Sequence, residues 1–318
     1  MTRHVSLSPR DAVPLAAPVP LPLRVGPRTL LTLKRRLHRR ALTVNEARAN
    51  LVPELPALGR GDHGYWLNGL AVPALASLAA RHPPLRPFVR QRYRRHFTDL
   101  GRSFEALLAS MSGKSRSTLR RKLRRFAKAS GGTIDWRAYR GLSGFAEFHR
   151  LARPVSAASY QERLFDAGLP GEGEDLEELR ALARADLLRA YLLFLQGKPV
   201  SYLCLPAEGT TLFYAWLGYD PEHASLSPGT VLLAEALRDL MEEGRFELVD
   251  YTEGEGRNKR LFATGSVTCV DALLLRPSLA NLVVGHLLGL FDGGIGRAKS
   301  AIARLGLEKP VRALLRLG

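Results

Sequence analysis

The chain reads as an α+β protein of two packed lobes, and three observations predict it. Its 318 residues exceed what one hydrophobic core usually organises. Apolar residues make up 46% and charged residues 24%, with a mean hydropathy of −0.09, a balance that excludes a disordered chain and a membrane-spanning bundle. The apolar period switches between two and 3.6, giving three strands in succession, then a helix, a strand, a helix start and a last strand. That order describes a mixed sheet with helices packed on it.

Taken in order, residues 1–24 read as a flexible tail. Pro14, Pro18, Pro20 and Pro22 interrupt the apolar letters there and forbid the helical core of a signal peptide. Strand-like pieces follow at residues 30–33 and 65–70, then a helix at 72–80 and a basic strand at 90–100. Helices at 103–111 and 115–128 come next, the second closed by Gly131-Gly132. A helix at 144–152 leads into an irregular stretch, 153–173, and a helix at 174–185. The clearest stretch begins at a strand, 187–195, whose antiparallel partner 200–205 follows a turn at Gly197-Lys198-Pro199. A third strand covers 210–219, a helix 229–243 ends at Gly244, and a strand covers 246–252. A helix starts at Asn258, a last strand spans 267–275, and the chain is helical from Ser278 with a break at Pro310. The corresponding division is a tail (1–24), a basic N-terminal lobe with a linking helix (25–140), a C-terminal lobe (141–277) and a helical extension (278–318).

Charge is unevenly spread. Residues 1–140 hold 28 Lys+Arg against 7 Asp+Glu, and the remainder 19 against 23. The segment Lys114 to Lys128 has eight basic residues and no acidic one, with Leu119, Leu123 and Phe126 on one stripe and Arg116, Arg120, Arg121, Arg124 and Arg125 around the rest. Like charges at i, i+4 repel by a few tenths of a kcal/mol per pair, so such an array points to a phosphate, a lipid surface, carboxylates of the second half, or an ordinary solvated face.

Several chemistries lack their residues. Gly113-Lys114-Ser115 imitates the end of a phosphate loop, but Leu108 stands where the motif needs glycine. No Gly-x-Ser-x-Gly elbow, His-Glu-x-x-His or Cys-x-x-Cys pattern occurs. Cys204 and Cys269 are too few for a disulfide framework, which fits a reducing cytosol, and the longest apolar run, residues 279–291, is too short to span a bilayer. What remains is Ser227-Pro228-Gly229-Thr230 between a strand and a helix. Ser227 suits an N-cap, Pro228 the first helical position, and the amides of Gly229, Thr230 and Val231 would face outward at the positive helix end, where a phosphate binds.

A set of spaced pieces then carries a resemblance: Tyr160-Gln161 with Gly168-Leu169; Gln196-Gly197-Lys198-Pro199-Val200; Gly218-Tyr219-Asp220-Pro221; Ser227 to Leu232; Asp250 with Glu253-Gly254; and Lys259 with Phe262. In order and spacing this resembles the GNAT acyltransferase superfamily, specifically its bacterial double-GNAT group of FemAB-like proteins and CelD-like proteins of exopolysaccharide gene clusters. The segment from Phe104 to Phe126 is similar to the helix joining that group's two halves. The resemblance implies two GNAT-like lobes, each a mixed sheet flanked by helices, with parallel strands 210–219 and 246–252 splaying around an acyl thioester. It implies acyl-CoA as cosubstrate, no metal, and direct attack by an amine or hydroxyl of a sugar, peptide or amino-acid-like acceptor. Cofactor contacts fall to Ser227, Gly229, Thr230 and Val231. Glu253 and Asp250 are candidate bases, Tyr219 and Tyr160 proton donors, and Gln161, Lys259 and Arg120 substrate contacts. The loop keeps one glycine of the usual GNAT pattern. Two alternatives stay open: an aminoacyl-tRNA-dependent transferase, and a nonenzymatic basic module for nucleic acid or anionic lipid. The expected location is the cytoplasm or, peripherally, the inner membrane surface.

Overall fold

The computed structural model describes residues 17–25, 28–159, 162, 168–254 and 256–304. The described residues divide into two compact units: unit 1 lies within His96–Ser266, and unit 2, not contiguous in sequence, lies within residues 17–95 and 267–304.

Unit 2 carries β1 (Ala17–Val25), β2 (Arg28–Ala41), α1 (Val44–Arg48), β3 (Gly64–Ala71), α2 (Val72–Arg81) and the first part of β4 (Arg86–Asp99). Its sheet runs β1-β2-β3-β11-β4, where β11 is Gly265–Leu275. β1 and β2 are antiparallel, β2 and β3 parallel, β3 and β11 antiparallel. Part of the expected flexible tail is thus an edge strand. In β1, Pro18, Pro20 and Pro22 alternate with buried Val19, Leu21 and Leu23, so every missing N–H falls on the outer edge, where a strand needs no donor.

Unit 1 holds the end of β4, then α3 (Phe104–Ser110), α4 (Gly113–Ala129), β5 (Trp136–Tyr139), α5 (Gly141–Ala158), α6 (Glu174–Arg184), β6 (Leu188–Leu195), β7 (Lys198–Glu208), β8 (Thr211–Phe213), β9 (Trp216–Tyr219), a 3-10 turn (Pro221–Leu226), α7 (Pro228–Glu243), β10 (Leu248–Asp250) and α8 (Arg257–Phe262). Its strand order is β4-β10-β8-β7-β6-β5, with β9 also on β7. The 26-residue α9 (Leu279–Arg304) belongs to unit 2.

The sheet of unit 1 is covered on both faces, which is why β6 is buried at every residue. Tyr191 and Leu193 face one core with Leu119 and Phe126 of α4 and Val231 and Leu237 of α7. Leu188, Ala190 and Leu192 face the other, with Phe148 of α5 and Leu179 of α6. Burying Leu119 and Phe126 contributes about 1.5–3 kcal/mol each, outweighing repulsion of a few tenths of a kcal/mol per like pair along α4. The 195–198 hairpin turns at Gln196 and Gly197, both with positive φ of 51° and 76°.

Candidate functional site

The expected third strand of unit 1 is broken. β8 pairs in parallel with β10, Thr211 to Leu248 and Phe213 to Asp250, whereas after Tyr214-Ala215 the chain continues as β9 on β7. The two courses part there, and a cavity of about 270 Å³ opens, lined by Leu217, Gly218 and Tyr219 of β9 and Pro228, Gly229 and Thr230 of α7. The Asp220 amide donates to Val200 O at 2.9 Å. Strand alternation then turns the amides of Leu217 and Tyr219 away from β7, toward the opened side.

Above the start of α7 lies a polar constellation drawn from three helices. Lys122 Nζ of α4 donates to Thr230 Oγ1 at 3.1 Å, and Thr230 Oγ1 donates to Asn258 Oδ1 of α8 at 3.0 Å. Burial, then the neighbouring Arg257 and Arg121, lower the Lys122 pKa from its ordinary value. Burial raises that of Tyr214, whose hydroxyl bonds Asn258. Lys122 and Arg257 line the cavity, and among the described residues no carboxylate does. Two cations beside a helix N-terminus, one partly desolvated, make this a place where an anion is favoured.

The residues named from sequence distribute unevenly. Ser227, Gly229, Thr230 and Tyr219 line the cavity. Ser227 is not the side-chain cap expected of it: its backbone is left-handed, φ 57°, and its hydroxyl makes no cap bond. Its carbonyl instead accepts the amides of Thr230 at 2.9 Å and Val231 at 3.2 Å, which removes both as anion donors. Val231 is buried in the core, and Thr230 serves through its hydroxyl. The Gly229 amide stays available at the cavity wall, and a Cβ there would meet only Tyr219 Cδ1 at 3.7 Å.

Asp250, Glu253, Lys259 and Arg120 are not among the lining residues. Asp250 is fully buried and accepts the Thr252 amide at 2.8 Å, holding that residue at φ 56°, so its carboxylate shapes the strand end. Lys259 Nζ donates to the carbonyls of Tyr251 at 2.6 Å and Glu253 at 2.5 Å. Glu253 is half-buried and Arg120 exposed. Tyr160 and Gln161 lie outside the described residues.

Sequence reasoning missed Lys122, Arg257 and Asn258. For Lys122 a signal existed: it stands three residues after Leu119 and four before Phe126, inside the apolar stripe rather than on the charged face. A polar chain behind the cavity was missed as well. Tyr202, a lining residue, bonds Ser156 Oγ at 3.0 Å; Ser156 donates to Glu162 Oε2 at 2.5 Å; and Arg153 grips both Glu162 oxygens at 2.7 and 2.8 Å. Burial pushes the Tyr202 hydroxyl up to about 12, whereas the Arg153 hydrogen bonds hold Glu162 below its ordinary value.

Residues 113–260 match the acetyltransferase (GNAT) domain family. Solved structures similar to this chain include the C-terminal domain (DUF2156) of a putative lysylphosphatidylglycerol synthetase from Agrobacterium fabrum, at 15% identity over 70% of this chain and 71% of that one, with a TM-score of 0.49. FemX is similar at 11% identity over 72% and 75%, TM-score 0.47. A GCN5-related N-acetyltransferase from Kribbella flavida is similar at 16% identity over 68% and 71%, TM-score 0.35. No curated protein matches the sequence. The matched segment contains every residue that lines the cavity, together with α4, α7 and most of α8.

Proposed function

We propose that the GNAT domain at residues 113–260 transfers an acyl group from acyl-CoA to an amine or hydroxyl, with the donor's phosphates at the start of α7 and its thioester between β9 and β10. The observation that carries this reading is the cavity's charge: Lys122 and Arg257 line it and no described carboxylate does, beside the helix start that presents the Gly229 amide. One lysine, one arginine and one amide supply the anion contacts that a single-glycine loop cannot supply by backbone alone.

In the reaction the acceptor nitrogen or oxygen attacks the thioester carbonyl, the new C–N or C–O bond forms, and the C–S bond breaks. The Leu217 amide, turned toward the opened side, is suited to polarise the carbonyl oxygen. Tyr219 returns a proton to the leaving thiolate. The acceptor proton is assigned to Glu253, half-buried just beyond the end of β10. Asp250 is left a positioning role, because it is enclosed and bonded to backbone.

Titration calorimetry with CoA and acetyl-CoA tests the donor assignment. Binding is expected, with affinity about ten- to a hundredfold lower in Lys122→Ala and in Arg257→Ala, the loss of one charge-assisted contact each. A folded Lys122→Ala protein that binds both ligands like the parent would remove the phosphates from this cavity. Raising pH through the lowered Lys122 pKa neutralises the ammonium, so affinity in the parent declines toward the Lys122→Ala level earlier than an ordinary lysine would dictate.

A further inference from the structure

α9 of unit 2 is apolar on two sides. One side is buried: Val284 and Leu288 pack with Leu21 and Leu23 of β1 and Leu273 and Leu275 of β11. The other side is open, with Leu279 84%, Val283 62%, Leu287 41% and Leu290 76% exposed. Spaced i, i+4, i+8 and i+11, these four fall within a sector of about 80° and form a stripe about 16 Å long. Asp292 is the one Asp, Glu, Lys or Arg in residues 279–296, and Arg90 holds its carboxylate. Of the nine large hydrophobic side chains exposed among the described residues, eight are in unit 2.

The same face is rich in arginine. Arg35 of β2 donates to Asn281 Oδ1 and to Ala280 O, both at 3.1 Å, and Arg39, two positions of the same parity further on, lies 4.9 Å from the Trp66 ring. On β4, Phe88 meets His286 with ring centroids 5.4 Å apart, and Arg90 meets Asp292. Alternation places Arg86, Arg92 and Arg94 on that helix-bearing side too, and all three are exposed. Across the described residues of unit 2 there are 19 Lys+Arg and 5 Asp+Glu.

The geometry points to the α9 face of unit 2 as a docking surface for an anionic phospholipid bilayer. The Leu279/Val283/Leu287/Leu290 stripe enters the boundary between headgroups and acyl chains, and the flanking arginines meet lipid phosphates. Charge complementarity selects this occupant over a second copy of the chain, since a symmetric contact would press two strongly cationic units together. The stripe selects it over nucleic acid, which satisfies arginines but leaves four apolar side chains in water. No described helix is long and apolar enough to cross a membrane, so the surface lies on the bilayer rather than through it.

The test is co-sedimentation of the full chain with phosphatidylcholine vesicles, with and without phosphatidylglycerol. Binding is expected only to the phosphatidylglycerol vesicles, and salt should weaken it without removing it. The combined Leu279→Ser, Val283→Ser and Leu290→Ser variant should keep its melting temperature, because these side chains are exposed, and lose about tenfold or more in vesicle partitioning. Leu290→Trp should give a blue-shifted, quencher-shielded emission on the anionic vesicles. The proposal is overturned by a parent that ignores the anionic vesicles, by serine variants that bind like the parent, by binding to RNA in place of vesicles, or by a dimer that the serine variants dissolve.

Discussion

The two units use charge in opposite ways. The described residues of unit 1 have 22 Lys+Arg and 21 Asp+Glu, and several of the cations are drawn inward. Arg189, 1% exposed, donates to both Glu243 oxygens and to Asp186 Oδ1 at 2.8 Å, and lies 5.0 Å from the Phe246 ring. The described residues of unit 2 have five carboxylates for 19 cations, and Arg86, Arg92 and Arg94 among them are exposed. Removing a cation should therefore damage structure in unit 1 and association in unit 2. The contrast also corrects the linear reading. Residues 1–140 hold the charge when the chain is cut by sequence, but α4, with its eight basic residues, folds with the acidic segments of unit 1.

The largest expected effect tests the inward side of the comparison. Arg189→Ala removes the guanidinium that Glu243 and Asp186 share where β6 meets the end of α7; Arg140 still faces Glu243 and Arg245 still faces Asp186, so the cost is expected at about 3 kcal/mol, the low end for a buried pair broken on one side. Urea denaturation measures it. A loss below 1 kcal/mol would mean that water replaces the guanidinium and that unit 1 does not depend on internal pairing.

How much of this was legible in the sequence depends on whether the signal was local. The stripe of α4, the αL stop at Gly244 with φ 66°, and the apolar run of β6 are set within a few residues and could be read directly. β1 was hidden because proline counts against a strand until its edge position is known. The break at Tyr214-Ala215 was hidden because both halves alternate as one strand does. The division into units was illegible for a plainer reason: β4 and β11 each carry the chain from one unit to the other, and no composition shift marks either point. In the site, Gly229 and Tyr219 were found from the loop, whereas Lys122 comes from a helix about a hundred residues earlier in the chain.

A smaller effect separates paired from unpaired charge by pH. Glu162 is held below its ordinary value first by Arg153, so the pair stabilises the fold above the unfolded glutamate value near 4.3 and loses that contribution as pH falls through the lower folded value. Glu162→Gln should cost about 1–3 kcal/mol at neutral pH, and the gap from the parent should close in acid. Melting curves across the acid range check it, and a gap that does not change with pH would assign the loss to packing beside Gly168, where the Glu162 side chain leaves no room for a Cβ.

The smallest effect is expected in unit 2. Arg92→Gln replaces an exposed cation that shares its strand side with Arg90 and Arg94, so it removes repulsion as well as attraction, and the net change in folding free energy should stay within about 0.5 kcal/mol. The same logic makes Arg86→Gln with Arg92→Gln additive and still small, because six residues along a strand separate the two by about 20 Å, beyond the range at which salt leaves exposed charges coupled. Urea midpoints for the single and double variants, taken at low and high salt, distinguish the cases. Equal midpoints at both salts fit cations held at the surface for a partner. A loss of 2 kcal/mol or more would show that these arginines are bound into unit 2 as Arg189 is bound into unit 1, and the contrast between the units would then be one of composition and not of use.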